Sequence, residues 1–194
     1  VGRLSEALPL YEQTLKLWKS KLGSEHWNTL ASMGNLADAY LVAGQPEKAT
    51  PLFDQFVAGR RKRAKVDDPG FAGLLTKVSL VLLQHHQYPT AETYLRECLM
   101  IREKALSDDW SLFNTKSMLG GALAGQKKFQ EAEPLLVEGY SGMKEREANI
   151  PVAAKNRLPE AIRRLVDLYT AWEKPEEAKK WLEKLEETKS DEEK

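Results

Sequence analysis

The sequence holds one cysteine, Cys98. A single thiol excludes an internal disulfide framework and gives no thiolate metal cluster. Charge of one sign is lacking too. Lys plus Arg and Asp plus Glu both number 29, so no global field draws in nucleic acid or an anionic membrane. No apolar run approaches the roughly 20 residues of a membrane helix, and Val1 to Leu10 lack the basic-then-apolar order of a secretion signal. No β-branched residues alternate over the length of a strand, so no sheet is expected. Histidine is scarce. His85 and His86 are adjacent and would point about 100° apart on a helix, while His26 lies far off in the chain. No metal or cofactor site is expected from them.

What is present is a repeat. The chain is 42% hydrophobic and 30% charged, a charge content that suits layered helices with wetted flanks better than one globule. Four stretches align: LSEALPLY from Leu4, PEKATPLF from Pro46, YPTAETYL from Tyr88 and FQEAEPLL from Phe129. A fifth, PEEAKKWL, starts at Pro175. Their shared alanines, Ala7, Ala49, Ala91, Ala132 and Ala178, are separated by 42, 42, 41 and 46 residues. The last interval therefore carries extra chain.

Each interval reads as two amphipathic helices. Before the alanine come Met33, Leu36, Ala37 and Tyr40, then Leu75, Val78 and Leu82, all at spacings of three and four. On the helix with the alanine come Leu52, Phe53 and Phe56, or Tyr94, Leu95 and Cys98. Gly44 reads as a left-handed helix end, and Pro46 and Pro175 as helix starts where no amide partner is lost. The expected fold is all-α, one domain over residues 1–194. A leading helix at 4–22 precedes four pairs, 29–64, 71–106, 111–148 and 158–188, with a charged tail at 189–194. The single helices run near 29–43, 46–64, 71–86, 88–106, 111–125, 128–148, 158–173 and 175–188. A methyl group is what a close helix crossing tolerates, so the alanines mark crossings. Cys98 reads as a buried, inert thiol.

Leu22 to Gln55, LGSEHWNTLASMGNLADAYLVAGQPEKATPLFDQ, resembles the kinesin-light-chain variety of tetratricopeptide repeat, whose unit matches the 42-residue step. It departs at Trp27, where that family has proline, and at Gly34, where asparagine is common. Asn114 to Glu147 resembles the C-terminal repeats of serine/threonine protein kinases from planctomycete-type bacteria. The resemblance implies a right-handed superhelix of antiparallel helix pairs, a solenoid with a concave peptide-binding groove lined by the first helix of each pair. Counted from the alanines, the groove positions include Asn35, Asp38, Lys77, Gln84, Asn114, Arg163 and Arg164. Asn35 stands where the family's asparagine bonds a peptide backbone, a task suited to a group that both donates and accepts.

Other features read as structure. Arg60, Arg61, Lys62, Arg63 and Lys65 end a second helix, where cations complement the helix dipole. Gly120 to Lys128, GGALAGQKK, lacks the lysine of a phosphate-binding loop, Gln126 standing in its place. Its small residues suit close helix packing. Trp27 and Trp110 precede first helices and read as plugs between pairs, or as surfaces on which a peptide stacks. Carboxylates scatter as Glu/Lys pairs along Glu176 to Lys184, and nothing assembles a catalytic set.

The expected function is therefore a non-catalytic scaffold that binds a protein or peptide segment. Its rivals are a regulatory repeat region of a serine/threonine kinase and a structural oligomerisation element. A cytoplasmic setting fits, with no nucleic acid and no membrane segment. Leu4, Ala7, Leu8, Tyr11 and Leu15 form a stripe on a second helix that has no first helix before it. That stripe suggests a longer protein, or self-association through the leading helix. Trp181, Leu182 and Leu185 with the polar Thr188 to Lys194 read as a closing end.

Overall fold

A computed structural model describes the backbone of residues 2–192 and the side chains of residues 6–188. Among the described residues the chain is all-helical. Helices α1 (Gly2–Leu22), α2 (Trp27–Val42) and α3 (Pro46–Arg61) come first. They are followed by α4 (Pro69–Gln84), α5 (Tyr88–Ala105), α6 (Trp110–Gly125), α7 (Phe129–Glu145), α8 (Arg157–Ala171) and α9 (Pro175–Glu192). The expected helices are all there, with shifted ends. α3 stops at Arg61 and α7 at Glu145. The extra chain of the last interval forms two 3-10 turns, Glu147–Asn149 and Val152–Ala154, around Pro151, which has no amide to continue a helix. The expected tail at 189–194 and the side chain of Leu4 lie outside the residues whose side chains are described.

The repeat extends to the helix caps. His26, Asp68 and Asp109, each 23 residues before its alanine, accept the amides of Asn28, Gly70 and Ser111 at 3.2, 2.8 and 2.8 Å. These bonds satisfy donors that a helix start leaves orphaned. The first helices end alike as well. Gly44, His86, Lys127 and Glu173 all take positive φ, between 56° and 70°. The next amide then reaches back to close the turn: Gln45 to Tyr40 O, Gln87 to Leu82 O, Lys128 to Leu123 O and Lys174 to Tyr169 O, at 2.8–3.0 Å. This double-bonded C-terminal turn normally wants glycine. Only Gly44 supplies one; the other three carry a side chain through the left-handed region.

Two units divide the chain, Val1–Val66 and Asp67–Lys194. In the first, α2 packs between α1 and α3. Leu30, Met33, Leu36 and Ala37 meet Ala49, Phe53 and Val57, and all are buried. Tyr40 donates to Glu12 on α1 at 2.5 Å. Of the expected stripe on α1, Tyr11 is 40% exposed and Ala7, Leu8 and Leu15 are half-buried, whereas the more exposed Leu10 and Leu17, at 62% and 56%, lie outside it. In the second unit, Ala91 and Ala132 are fully buried beside Leu75, Leu82, Leu119 and Leu136. Each such leucine contributes about 1.5–3 kcal/mol by leaving water.

The α6–α7 pair is the tightest crossing. A Cβ placed on Gly139 would lie 2.6 Å from Ser117 N and 2.8 Å from Phe113 O, so the two backbones touch. A Cβ on Gly120 would meet the Leu136 side chain at 2.6 Å and Ala132 O at 3.0 Å. The small residues of the Gly120–Lys128 stretch thus serve packing, and they lie on a helix end rather than in a loop. Cys98 is fully buried and its thiol points to Ala72 O at 3.3 Å. Arg102, also buried, donates to Ser111 O at 2.6 Å and to the Thr115 hydroxyl at 2.5 Å, joining α5 to α6.

Candidate protein-interaction groove

Within Asp67–Lys194, the first helices α4, α6 and α8 lie side by side, and their outward faces form a groove. The register explains its shape. The positions 11 and 7 residues before each alanine are Leu80 and Gln84 on α4, Gly121 and Gly125 on α6, and Asp167 and Ala171 on α8. Glycine on the middle helix lowers the floor. The result is a notch of about 500 Å³. Leu80, Leu83 and Tyr88 wall one side, Gly121, Ala124 and Gly125 floor it, and α8 supplies the other side. Gly125 is needed for packing, since a Cβ there would meet the Tyr88 ring at 2.5 Å. The nearest neighbour of a Cβ on Gly121 would be the Arg164 side chain, at 3.0 Å, rather than backbone.

The α8 wall is a charged chain. Glu160 Oε2 accepts from Arg157 at 2.8 Å and from Arg164 at 3.4 Å, and its Oε1 accepts from Asn156 at 2.9 Å. Arg164 also donates to Ser117 on α6 at 3.2 Å. Burial pulls the Arg164 guanidinium below its ordinary range, with Glu160 opposing. Burial raises the Asp167 carboxyl, against the pull of Arg164 and Arg163. At the rim, His86 Nδ1 shares a hydrogen bond with the Tyr88 hydroxyl at 2.7 Å. Apolar walls, a bare backbone floor and a polar edge can seat a side chain and hold its neighbours by hydrogen bonds.

Of the positions expected from sequence, Gln84 and Arg164 line this notch. Lys77 and Arg163 are exposed on α4 and α8 but do not line it. Asn114 is only 2% exposed, its amide turned to Met118 Sδ at 3.6 Å, so it is closed to a ligand. Asn35 and Asp38 are exposed on α2, in the other unit. Arg157, Glu160 and Asp167 were not anticipated, although Asp167 shares the register of Asp38 and could have been read from it. Trp27 is 59% exposed and plugs no gap, whereas Trp110 is half-buried.

Two tetratricopeptide-repeat family models match the chain, over residues 1–62 and 72–109, together more than half of it. The chain is built of tetratricopeptide repeats. Solved structures agree. A Podosopora anserina kinesin-light-chain-type protein with nearly identical TPR-like repeats is 26% identical, with a TM-score of 0.72 over 98% of this chain and 89% of that one. A point variant of the same protein gives 25% identity and a TM-score of 0.75 over 99% and 89%. BtubC (BKLC) from P. vanneervenii is 16% identical with a TM-score of 0.63, over 94% and 72%, a likeness of fold alone. No curated protein matches the chain. The tetratricopeptide pairs account for the groove, since the registers 11 and 7 residues before the alanine line it on each of α4, α6 and α8. No described helix is long and apolar enough to cross a membrane.

Proposed function

We propose that this tetratricopeptide chain is a non-catalytic scaffold that holds a segment of another protein in the groove over α4, α6 and α8. The observation that carries the reading is the notch above Gly121. Glycine inside a helix costs about 1 kcal/mol relative to alanine, and at Gly121 the nearest atoms to a Cβ belong to the Arg164 side chain and not to backbone. No close backbone contact therefore demands the glycine, in contrast to Gly139, and an open floor accounts for it. The test is to fill the notch with Gly121→Leu. Segments selected by the wild-type chain from a peptide library should lose at least ten-fold in affinity, while helicity is unchanged. Equal affinity for both proteins would remove the groove from the function.

A second reading draws on α1. Leu10, Tyr11 and Leu17 are 62%, 40% and 56% exposed, an apolar face suited to self-association. Sedimentation would show a mass that rises with concentration and returns to the monomer value in Leu10→Glu. A constant monomer mass would dismiss it. The kinase reading rests on the resemblance of Asn114 to Glu147, and a kinase domain encoded in frame upstream is its test.

A further inference from the structure

The chain is neutral in total, yet its charge is not evenly spread. Val1–Val66 holds ten Lys and Arg against six Asp and Glu, a formal excess of four positive charges. Five of the ten lie between Arg60 and Lys65, and three more, Lys16, Lys19 and Lys21, lie near the end of α1. α1 and α3 both pack antiparallel to α2 through short turns, so their C-terminal ends share one edge. Glu25, in the turn after α1, sits on that edge. Its carboxylate binds Lys62, and its carbonyl accepts from Arg63 at 2.6 Å. Two helix ends carry about half a negative charge each, and Glu25 adds one. Complementing those needs about two cations, and leaving aside Arg61, which has a partner of its own, the edge still carries seven. Over the last turn and the four residues after it, α3 has five cations against two each for α5 and α7, so the surplus at α3 is not a general habit of the repeat.

We propose that this basic edge docks an acidic segment of a partner protein. Glu25 displays the chemistry, a carboxylate held by Lys62 and beside Arg63. The hydrogen bond and charge of Lys62 keep that carboxyl below its ordinary range. Arginine, three of the five residues at the end of α3, presents a planar fork that matches carboxylates. No aromatic residue lies among Arg60 to Lys65 to stack on bases. Val66 beside that run and Leu22 and Trp27 beside Glu25 are exposed singly, so the test below includes vesicles, which separate a bilayer from a protein. The edge belongs to Val1–Val66 and the groove to Asp67–Lys194, and they share no residue, so the two readings fail independently.

A fluorescent ten-residue polyglutamate peptide is the probe, with a DNA duplex of equal charge and phosphatidylserine vesicles as competitors. The intact chain should bind the peptide saturably and more weakly as salt rises. Arg60→Glu combined with Lys65→Glu spares the two residues that hold Glu25 and should weaken binding about ten-fold or more. Lys180→Glu on α9 should leave binding unchanged. If the double reversal loses helicity, Arg60→Gln with Lys65→Gln should still weaken binding about three-fold. No saturable binding at low salt, unchanged affinity in the folded variants, or preference for the duplex or the vesicles would overturn the proposal.

Discussion

Changing Gly139→Ala should destabilise the chain, although alanine is the better helix former. The propensity gain is about 1 kcal/mol. Against it, the new Cβ would sit 2.6 Å from Ser117 N, 2.8 Å from Ser117 Cα and 2.8 Å from Phe113 O. All three are backbone atoms of α6, so none can rotate away. Relief requires α7 to back off from α6, which loosens the contacts of Leu136, Met118 and Met143, all fully buried. Overpacking of this kind costs about 1–3 kcal/mol and occasionally more, and with three rigid backbone contacts at the upper end it should exceed the propensity gain by up to about 2 kcal/mol. Gly73→Ala is the internal control. Nothing lies within 4 Å of its Cβ, so propensity acts alone and stability should rise by up to about 1 kcal/mol. Urea unfolding with an unchanged slope measures both. If Gly139→Ala stabilises as much as Gly73→Ala does, backbone contact at the α6–α7 crossing is refuted.

Glu92 should make stability depend on acid. Burial alone would raise its carboxyl, but hydrogen bonds from Lys128, Gln126 and Arg96 outweigh burial and hold it down to about 2, from 4.5. Its stabilisation is thus complete above about pH 4.5, is lost as pH falls toward 2, and amounts to at most about 3 kcal/mol. Urea titrations of wild type and Glu92→Gln should differ at pH 7 and converge near pH 2; a constant difference would contradict this. Lys127→Gly should raise stability by about 1 kcal/mol, because φ is +63° there. A lower melting temperature would mean the turn does not strain its side chain. Ala91→Leu should cost about 1–3 kcal/mol at its fully buried crossing, and an unchanged denaturation midpoint would show the alanine register to be wrong.

The helices were legible because five alanines recur with apolar residues at helical spacing around them. The turns were only partly so. Gly44 announces a left-handed residue, but His86, Lys127 and Glu173 do not. There the geometry is imposed by the backbone bonds that close each turn, and side-chain identity follows rather than leads. The groove divides in the same manner. Gln84 and Arg164 follow from register counting. The notch itself comes from side chains that are missing, at Gly121 and Gly125, and a search for chemical groups passes over an absence. Asn114 shows the opposite error, since helical register alone cannot tell a groove position from one a neighbouring helix covers.

The α6–α7 crossing also bears on how the chain acquires its structure. Its contacts join residues close in sequence, across the short turn at Lys127, so little loop entropy is spent in making them. A pair that closes cheaply and packs backbone to backbone is the natural place for order to begin, and helix pairs on either side can then add to it in turn. Amide hydrogens of α6 and α7 should accordingly exchange with solvent more slowly than those of α1 or α9.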